Sequence, residues 1–267
     1  MLADVRHKVI GVFDQLAPEY DTVLPFFTAM AGQAVSALPV TAGTRVLDLG
    51  AGIGAVTGQA LARGARVTAI DAAPEMIARL RVEHPRARAT VMDAHNLALP
   101  DAAFGVVVSS FVMHLVDDPE AVAREVRRVL APGGLFALTL PGAPPGSTAA
   151  PPRANELWAE YGQYLTPGAE MGRPLDAVAL LERTGFVGTA AQPVTIDLAM
   201  PGGGEMLWRW HLSHGTVAFI NGLPPDRREE FRQRLIAQAD AAGTTSLRAT
   251  ASLWTARTGL SPSRARG

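Results

Sequence analysis

The sequence predicts an α/β protein with a doubly wound parallel sheet, and three observations support that fold class. Between residues 45 and 140, short runs of β-branched and apolar residues alternate with segments whose apolar residues recur at helical spacing. This is the pattern of a parallel sheet covered on both faces. A glycine-rich turn directly follows the first run, within VLDLGAGIG. The chain of 267 residues is long enough for one large domain, or for one domain with a sizeable insertion.

The predicted core consists of five strands with helices between them. The strands are RVLDL, RVTAI, ATVM, GVVVSS and LFALTL, and the helices are GAVTGQALARG, PEMIARLRVEH and DPEAVAREVRRVL. Gly64 follows the first helix as a C-cap, and Pro74 suits the start of the second. The segment Pro132-Gly133-Gly134 is predicted to end the third helix.

The second half of the chain predicts further helices and two more strands. Residues 141–153, rich in proline, glycine and alanine, mark where the chain leaves the sheet. The segments NELWAEYGQYL and PLDAVALLERTGF are helical in pattern, and VTIDLAM is a strand candidate. A mostly helical stretch from about 203 to 241 precedes a last strand candidate at LRATASLWTA. Helices inserted between two late strands are well placed to act as a substrate lid.

The amino-acid composition indicates which binding partners and which cellular compartment to expect. The chain has 24 basic and 25 acidic residues, a formal net charge of -1, and no dense run of arginine or lysine. Nucleic acid and anionic membrane surfaces are therefore not expected, and a small ligand is favoured. The absence of cysteine excludes disulfides and thiolate metal sites. No apolar run approaches the roughly 18 residues that span a bilayer, so we expect a cytoplasmic protein, as a monomer or homodimer.

Carboxylates follow the glycine-rich turn and the next strands. Gly50, Gly52 and Gly54 allow a ligand to approach the backbone closely, but the same turn is compatible with a dinucleotide site. Asp48, at the strand end, could hold a cationic ammonium group or cap the following turn. Asp71 comes about 20 residues later, where an acid binds ribose hydroxyls. Asp93 could accept a hydrogen bond from an adenine amino group, so the three acids together describe a ribose, an adenine and an amino-acid-like cation.

These residues resemble class I S-adenosylmethionine-dependent methyltransferases, in particular the branch that acts on small molecules and quinones. The resemblance rests on FDQLAPEYD, VLDLGAGIG, VTAIDAAPEMI, VMDAHNLALPDAAFGVVVSSFVMHLVDDP and LAPGGLFAL, which occur in the expected order. It implies a Rossmann-like sheet of seven strands, the last antiparallel, with a helical lid. It also implies a helical cap over residues 1–40, a cofactor-binding core over 41–140, and lid helices with the remaining strands over 141–267.

The resemblance further implies that S-adenosylmethionine binds and leaves as S-adenosylhomocysteine. Asp48 and Gly50 would lie by its methionine moiety, Asp71 by its ribose, and Ser110 and Phe111 near its methyl group. The full set of implied cofactor contacts is Tyr20, Asp48, Gly50, Ala51, Gly52, Asp71, Ala72, Met76, Met92, Asp93, Ala94 and Ser110.

Three histidines are candidates for a catalytic base. His114 follows the fourth strand, which borders the reaction site in this fold, and it is either structural or catalytic. His211 and His214 are spaced with Trp208 at i, i+3 and i+6, so we expect them on one helical face. They either pack the lid or face the substrate and accept its proton. We expect no metal site, because two histidines without a third ligand are a weak zinc signal.

The function predicted from these residues is methyl transfer to a small, apolar or aromatic metabolite, with oxygen favoured over carbon or nitrogen and natural-product or quinone-like acceptors fitting best. The aromatic stripe of Trp158, Tyr161 and Tyr164 either packs the core or contacts a flat acceptor. Alternatives are a methyltransferase-like protein that catalyses a non-methylating reaction such as cyclisation, and a non-catalytic binding module. An NAD-dependent oxidoreductase is less favoured.

Overall fold

A computed structural model describes residues 2–147, 154–166, 169 and 172–260. Seven strands within these residues form one sheet: β1 (Arg45–Leu49), β2 (Arg66–Asp71), β3 (Arg88–Val91), β4 (Phe104–Ser110), β5 (Leu130–Pro141), β6 (Phe186–Ala199) and β7 (Ser246–Thr258). Their order is β3-β2-β1-β4-β5-β7-β6. β1 pairs in parallel with β2 and β4, whereas β7 runs antiparallel to β5 and β6. The predicted seven-stranded sheet with an antiparallel last strand is confirmed.

Helices flank the sheet and fill the connections between its strands. In the described residues they are α1 (Leu2–Leu16), α2 (Phe26–Ser36), α3 (Ala55–Ala62), α4 (Pro74–Glu83), α5 (Pro119–Val129), α6 (Ala154–Gly162), α7 (Ala177–Arg183), α8 (Gly203–Leu212), α9 (Val217–Gly222) and α10 (Pro225–Ala241). Among these residues, no helix is both long and apolar enough to cross a bilayer.

Each face of the sheet buries its own apolar cluster, because successive side chains of a strand point to opposite faces. Val46 and Val106 belong to the cluster that also contains residues of α2 and α3. Leu47, Val107 and Phe136 belong to the cluster on the other face, with residues of α5 and α7. Burial on both faces explains why these strands are continuous apolar runs rather than alternating ones.

The predicted helix boundaries agree with the structure at two positions and differ at a third. Pro74 opens α4, and Gly64 adopts a φ of 77° just after α3. α5 ends at Val129, before the Pro-Gly-Gly segment predicted to end it. Leu130 already pairs with Phe104 of β4, so the chain turns into β5 before it reaches Pro132.

The helical insertion predicted between two late strands is present, and we call its helices the lid. α8, α9 and α10 leave the sheet after β6 and return to it at β7. Trp208 of α8 and Phe231 of α10 share a buried cluster with Tyr161 of α6. The division of the chain at residues 40 and 140 stays a prediction, and part of the predicted connection at 141–153 lies outside the described residues.

Candidate functional site

A cavity of about 130 Å³ lies at the carboxyl ends of β1, β2 and β4 and is covered by α1. This is the side of an open α/β sheet on which ligands bind. The predicted cofactor contacts that line it are Tyr20, Gly50, Gly52, Asp71, Ala72, Met76, Met92, Asp93, Ala94 and Ser110. The cavity also has walls that sequence reasoning did not predict, from α1 and from the segment 112–117.

The glycine-rich turn after β1 forms one wall of the cavity. Gly50 and Gly52 have φ values of 71° and 53°, in the left-handed region that side chains disfavour. A Cβ atom on Gly50 would also overlap the side chain of Val112. The backbone N–H groups of Gly50 and Ala51 both donate to the carbonyl of Ile70, at 2.9 and 2.8 Å. These hydrogen bonds fix the turn to β2. Because Gly50 and Gly52 have no side chains, other groups can approach the backbone of the turn closely.

Asp71, at the end of β2, is held by the backbone of two turns. Its Oδ2 accepts from Gly52 N at 2.8 Å, and its Oδ1 accepts from Ala73 N at 2.9 Å. Burial raises the pKa of this carboxyl group, and these hydrogen bonds oppose the rise. Each oxygen keeps further acceptor capacity, which is the property needed to bind paired hydroxyl groups.

A charged cluster lies where Asp93 meets α1. Arg6 Nη1 donates to Asp93 Oδ2 at 2.6 Å, and Arg6 Nη2 donates to Asp117 Oδ1 at 3.0 Å. His95 Nδ1 lies 2.6 Å from Asp93 Oδ1, and its Nε2 is 2.7 Å from Asp117 Oδ1 but is not aligned for a hydrogen bond. Burial alone would raise the pKa of Asp93, but hydrogen bonds from His95 and the charge of Arg6 outweigh it and lower the pKa. Asp93, the residue predicted to bind adenine, is thus already engaged by Arg6 and His95.

Asp48 occupies a different place from the one predicted for a cofactor ligand. It is 1% exposed and is not among the described residues that line the cavity. Its Oδ2 accepts from both the backbone N–H and the hydroxyl of Thr57, at 2.9 and 2.7 Å. Burial raises its pKa to about 7. The alternative interpretation, an acid that caps the following turn and helix, fits this geometry because Thr57 lies in the first turn of α3. Ala51 also lies off the cavity, since its N–H faces β2.

None of the three histidines predicted as bases is among the described residues that line the cavity. The Nδ1 atom of His114 is buried without a partner in the described structure, and burial lowers the pKa of this histidine to about 4. Its carbonyl accepts from Arg173 N at 2.8 Å, so this stretch packs under the segment that precedes α7. His114 therefore faces protein rather than the cavity.

His211 and His214 form a buried network inside the lid. α8 ends at Leu212, so His214 lies in the turn beyond the helix, which corrects the predicted shared helical face. His214 Nδ1 donates to the carbonyl of Trp210 at 2.6 Å, and its Nε2 lies 3.1 Å from the Thr216 hydroxyl. The same hydroxyl is 3.3 Å from His211 Nδ1. Burial lowers the pKa of both histidines, that of His214 to about 4, so both are neutral near pH 7.

An aromatic layer separates these histidines from the cavity. Tyr20 lines the cavity and stacks on Phe27, with ring centroids 4.8 Å apart. Phe27 in turn lies 5.6 Å from Phe111 and 5.9 Å from His214. Phe111 also lines the cavity, and its φ of 58° is a strained conformation for a bulky residue. Strained residues of this kind cluster at functional sites. The family resemblance implies that Phe111 lies near the methyl group, and its place in the cavity lining fits that expectation.

The aromatic stripe of α6 packs the lid and does not reach the described cavity lining. Tyr161 is 1% exposed and lies 5.2 Å from Phe231. Trp158 lies 4.9 Å from the same ring, and Tyr164 packs beside Tyr161 at 5.8 Å. Of the two interpretations of this stripe, core packing is the one that the structure supports.

Comparisons with known proteins show the family to which the chain belongs. A family model described as a methyltransferase domain matches residues 47–138. The nocamycin O-methyltransferase of Saccharothrix syringae is 30% identical over 257 residues, covering 87% of this chain and 91% of that protein. The malonyl-[acyl-carrier protein] O-methyltransferase of Halorhodospira halophila is 37% identical over 167 residues, 59% of this chain. This match covers 54% of the length of that relative. Across three of the curated relatives, the matched part is between 33% and 54% of the relative's length.

A solved structure supports the same fold. The YcgJ protein from Bacillus subtilis superimposes with a TM-score of 0.58 at 20% identity, covering 87% of this chain and 99% of that one. The full-length relative and the fold together show the family. The chain belongs to the class I S-adenosylmethionine-dependent methyltransferases, and its cofactor is S-adenosylmethionine.

Proposed function

We propose that this methyltransferase acts on an oxygen atom of a small, apolar or aromatic metabolite. The observation that carries the proposal is the wall of the cavity beside Ser110, where Phe13, Tyr20 and Phe111 present aromatic surface. Such residues bind flat apolar molecules through their faces and edges. The nocamycin and malonyl relatives, both named as O-methyltransferases, support oxygen as the methylated atom.

The residues around the cavity fit the cofactor. We propose that Asp71 accepts hydrogen bonds from the ribose hydroxyls and that Asp93 accepts one from the adenine amino group. Met92 and Ala94 flank the adenine, and the glycine turn leaves room for the methionine moiety.

Bound S-adenosylmethionine supplies a methyl group on a sulfonium ion, which is already a strong electrophile. The protein's task is then to align the acceptor oxygen with that methyl group and to exclude water. Orientation of this kind lowers a barrier by roughly 7 to 11 kcal/mol. Tyr20, Phe27 and Phe111 shield the site from the lid, and Ser110 is fixed by the Thr139 hydroxyl at 3.0 Å.

We propose that the acceptor oxygen is acidic and reaches the methyl group already ionised, as a carboxylate or phenolate does. The described cavity lining holds none of the three predicted histidines. Its other candidate bases, Asp71, Asp93, His95 and Asp117, are engaged with other protein groups. Burial also raises the pKa of Tyr20 well above its usual value, so Tyr20 is a poor base. An alcohol would need a base that the closed site does not offer. His211 or His214 could serve as that base only if Phe27 moved aside.

The test is incubation of the purified protein with S-adenosylmethionine and matched aromatic acceptors that carry a carboxylic acid, a phenol, an alcohol or an amine. We expect a product heavier by one CH₂ unit from the acid or the phenol, with formation of S-adenosylhomocysteine. Turnover of the amine alone would contradict O-methylation. A rearranged product of unchanged mass would support the cyclisation alternative, and binding of cofactor without turnover of any acceptor would favour a non-catalytic module.

A further inference from the structure

A forked contact at the edge of the cavity ties the N-terminal part of α1 to two loops. Arg6 reaches Asp93, which follows β3, and Asp117, which precedes α5. The two partners lie 87 and 111 residues further along the chain. Arg6 is the one lysine or arginine among the described residues that line the cavity. The contact therefore connects the N-terminal helix directly to the proposed adenine end of the site.

The geometry of this contact requires a forked cation. One terminal nitrogen of Arg6 serves Asp93 and the other serves Asp117, which a planar guanidinium can do and a single ammonium cannot. The Asp117 side chain is only 5% exposed, and that of Arg6 is 36% exposed. Pairs that are partly shielded from water are screened less by salt than exposed pairs. The branch to Asp117 is thus better suited to holding two elements together than the branch to Asp93, whose side chain is 41% exposed.

The cavity that α1 covers is too small for the cofactor as it stands. Its volume is about 130 Å³, whereas pockets for small molecules and cofactors measure about 300 to 1,000 Å³. Val9, Ile10 and Phe13, on the same face of α1 as Arg6, form part of its wall. Outward movement of α1 would enlarge the cavity. The far end of the helix has its own anchor, because Asp14 accepts from Glu75 N at 3.0 Å.

We propose that Arg6 and Asp117 are positioning residues that control the uptake and release of the cofactor. Their ion pair holds α1 across the cavity, opens to admit S-adenosylmethionine, and closes again above it. Asp93 must exchange at least part of its contact with Arg6 for the adenine amino group, and Asp117 keeps Arg6 in place during that exchange. This inference rests on the proposed cofactor site.

The test is stopped-flow measurement of S-adenosylhomocysteine binding to the full chain and its variants. Arg6→Ala should raise the association and dissociation rate constants together, each about tenfold, because the open form becomes more populated. Arg6→Lys should lie between the two proteins, since an ammonium cannot hold both carboxylates at once. Asp117→Asn should lie between the unmodified protein and Arg6→Ala, because it weakens only one of the two branches of Arg6. The double variant should match Arg6→Ala, because no further branch remains to be lost. Arg232→Ala is the matched control, since it breaks ion pairs with Glu205 and Glu229 on the lid.

Two results would overturn the inference while leaving the cofactor site intact. One is a pair of unchanged rate constants in Arg6→Ala. The other is faster dissociation with unchanged or slower association, which would make Arg6 an ordinary contact of the bound ligand. Failure of the unmodified protein to bind S-adenosylhomocysteine would instead contradict the proposed cofactor site itself. Arg6→Ala and Arg6→Lys keep the test decisive if Asp117→Asn fails to fold.

Discussion

Replacement of Asp48 by asparagine should stabilise the protein at neutral and alkaline pH. Asp48 lies in β1 at 1% exposure, and burial raises its pKa from 3.8 to about 7 against the opposing hydrogen bonds of Thr57. Asparagine keeps the shape of the side chain and an oxygen that can accept from Thr57. It has no charged form, so it avoids the cost of ionisation in the interior.

The sign and size of the effect follow from the two pKa values. The native state binds the proton of Asp48 more tightly than the unfolded state does, so the free energy of unfolding falls as the pH rises from about 4 to about 7. A difference of about three pKa units corresponds to about 4 kcal/mol. Asp48→Asn should therefore gain up to about 4 kcal/mol over the unmodified protein at pH 8 and almost nothing near pH 4.

Urea unfolding of both proteins between pH 4 and pH 8 measures this difference. A shift of the midpoint without a change of slope reports stability alone. Asp197→Asn on the exposed side of β6 is a suitable control, because its carboxylate is not buried. A variant that is less stable at pH 8, or whose gain is the same at every pH, would refute the reasoning. Unchanged affinity of Asp48→Asn for S-adenosylhomocysteine would support its placement away from the cofactor.

Three further predictions concern the cavity and the lid. Phe111→Gly should be more stable than Phe111→Ala by about 1 kcal/mol, because both lose the ring but only alanine keeps the strain of a positive φ; equal unfolding midpoints would exclude strain at this position. Asp71→Ala should weaken S-adenosylhomocysteine binding by roughly 1 to 3 kcal/mol in calorimetry, and unchanged affinity in a folded variant would remove the ribose role. His214→Ala should lower the free energy of unfolding by about 1 kcal/mol, because one buried hydrogen bond to the Trp210 carbonyl is lost while those from Ser213 remain, and should leave cofactor affinity unchanged. Loss of turnover without loss of stability would instead indicate that His214 takes part in the reaction.

The sequence predicted the features that depend on local pattern. The strands follow from β-branched runs that are buried on both faces, and β1 begins and ends where the run RVLDL does. The lid helices were predicted between two strands, and β6 and β7 flank them. Gly50 and Asp71 were predicted beside one ligand, and they line one cavity because adjacent parallel strands end at the same edge.

Features that depend on distant partners could not be predicted in this way. Whether a strand-end acid such as Asp48 faces a ligand or caps a helix depends on Thr57, whose hydroxyl reaches it only after the chain has turned. The spacing of His211 and His214 assumed one continuous helix, but α8 ends between them. Arg6 carried no signal as a site residue, because its partners lie in two separate loops far along the chain.

The pairing of β6 with β7 bears on how such a protein can diversify. The two strands stay in register up to Ala199 opposite Ser246, and α8, α9 and α10 all lie between these two positions. The lid therefore leaves the sheet and rejoins it at one pair of opposite residues, as the loop of a long β-hairpin does. Replacement of the lid by another sequence leaves the backbone pairing of the seven strands in place. The three helices can thus be lengthened, shortened or replaced as one unit, while the strands that carry the glycine-rich turn and Asp71 keep their pairing.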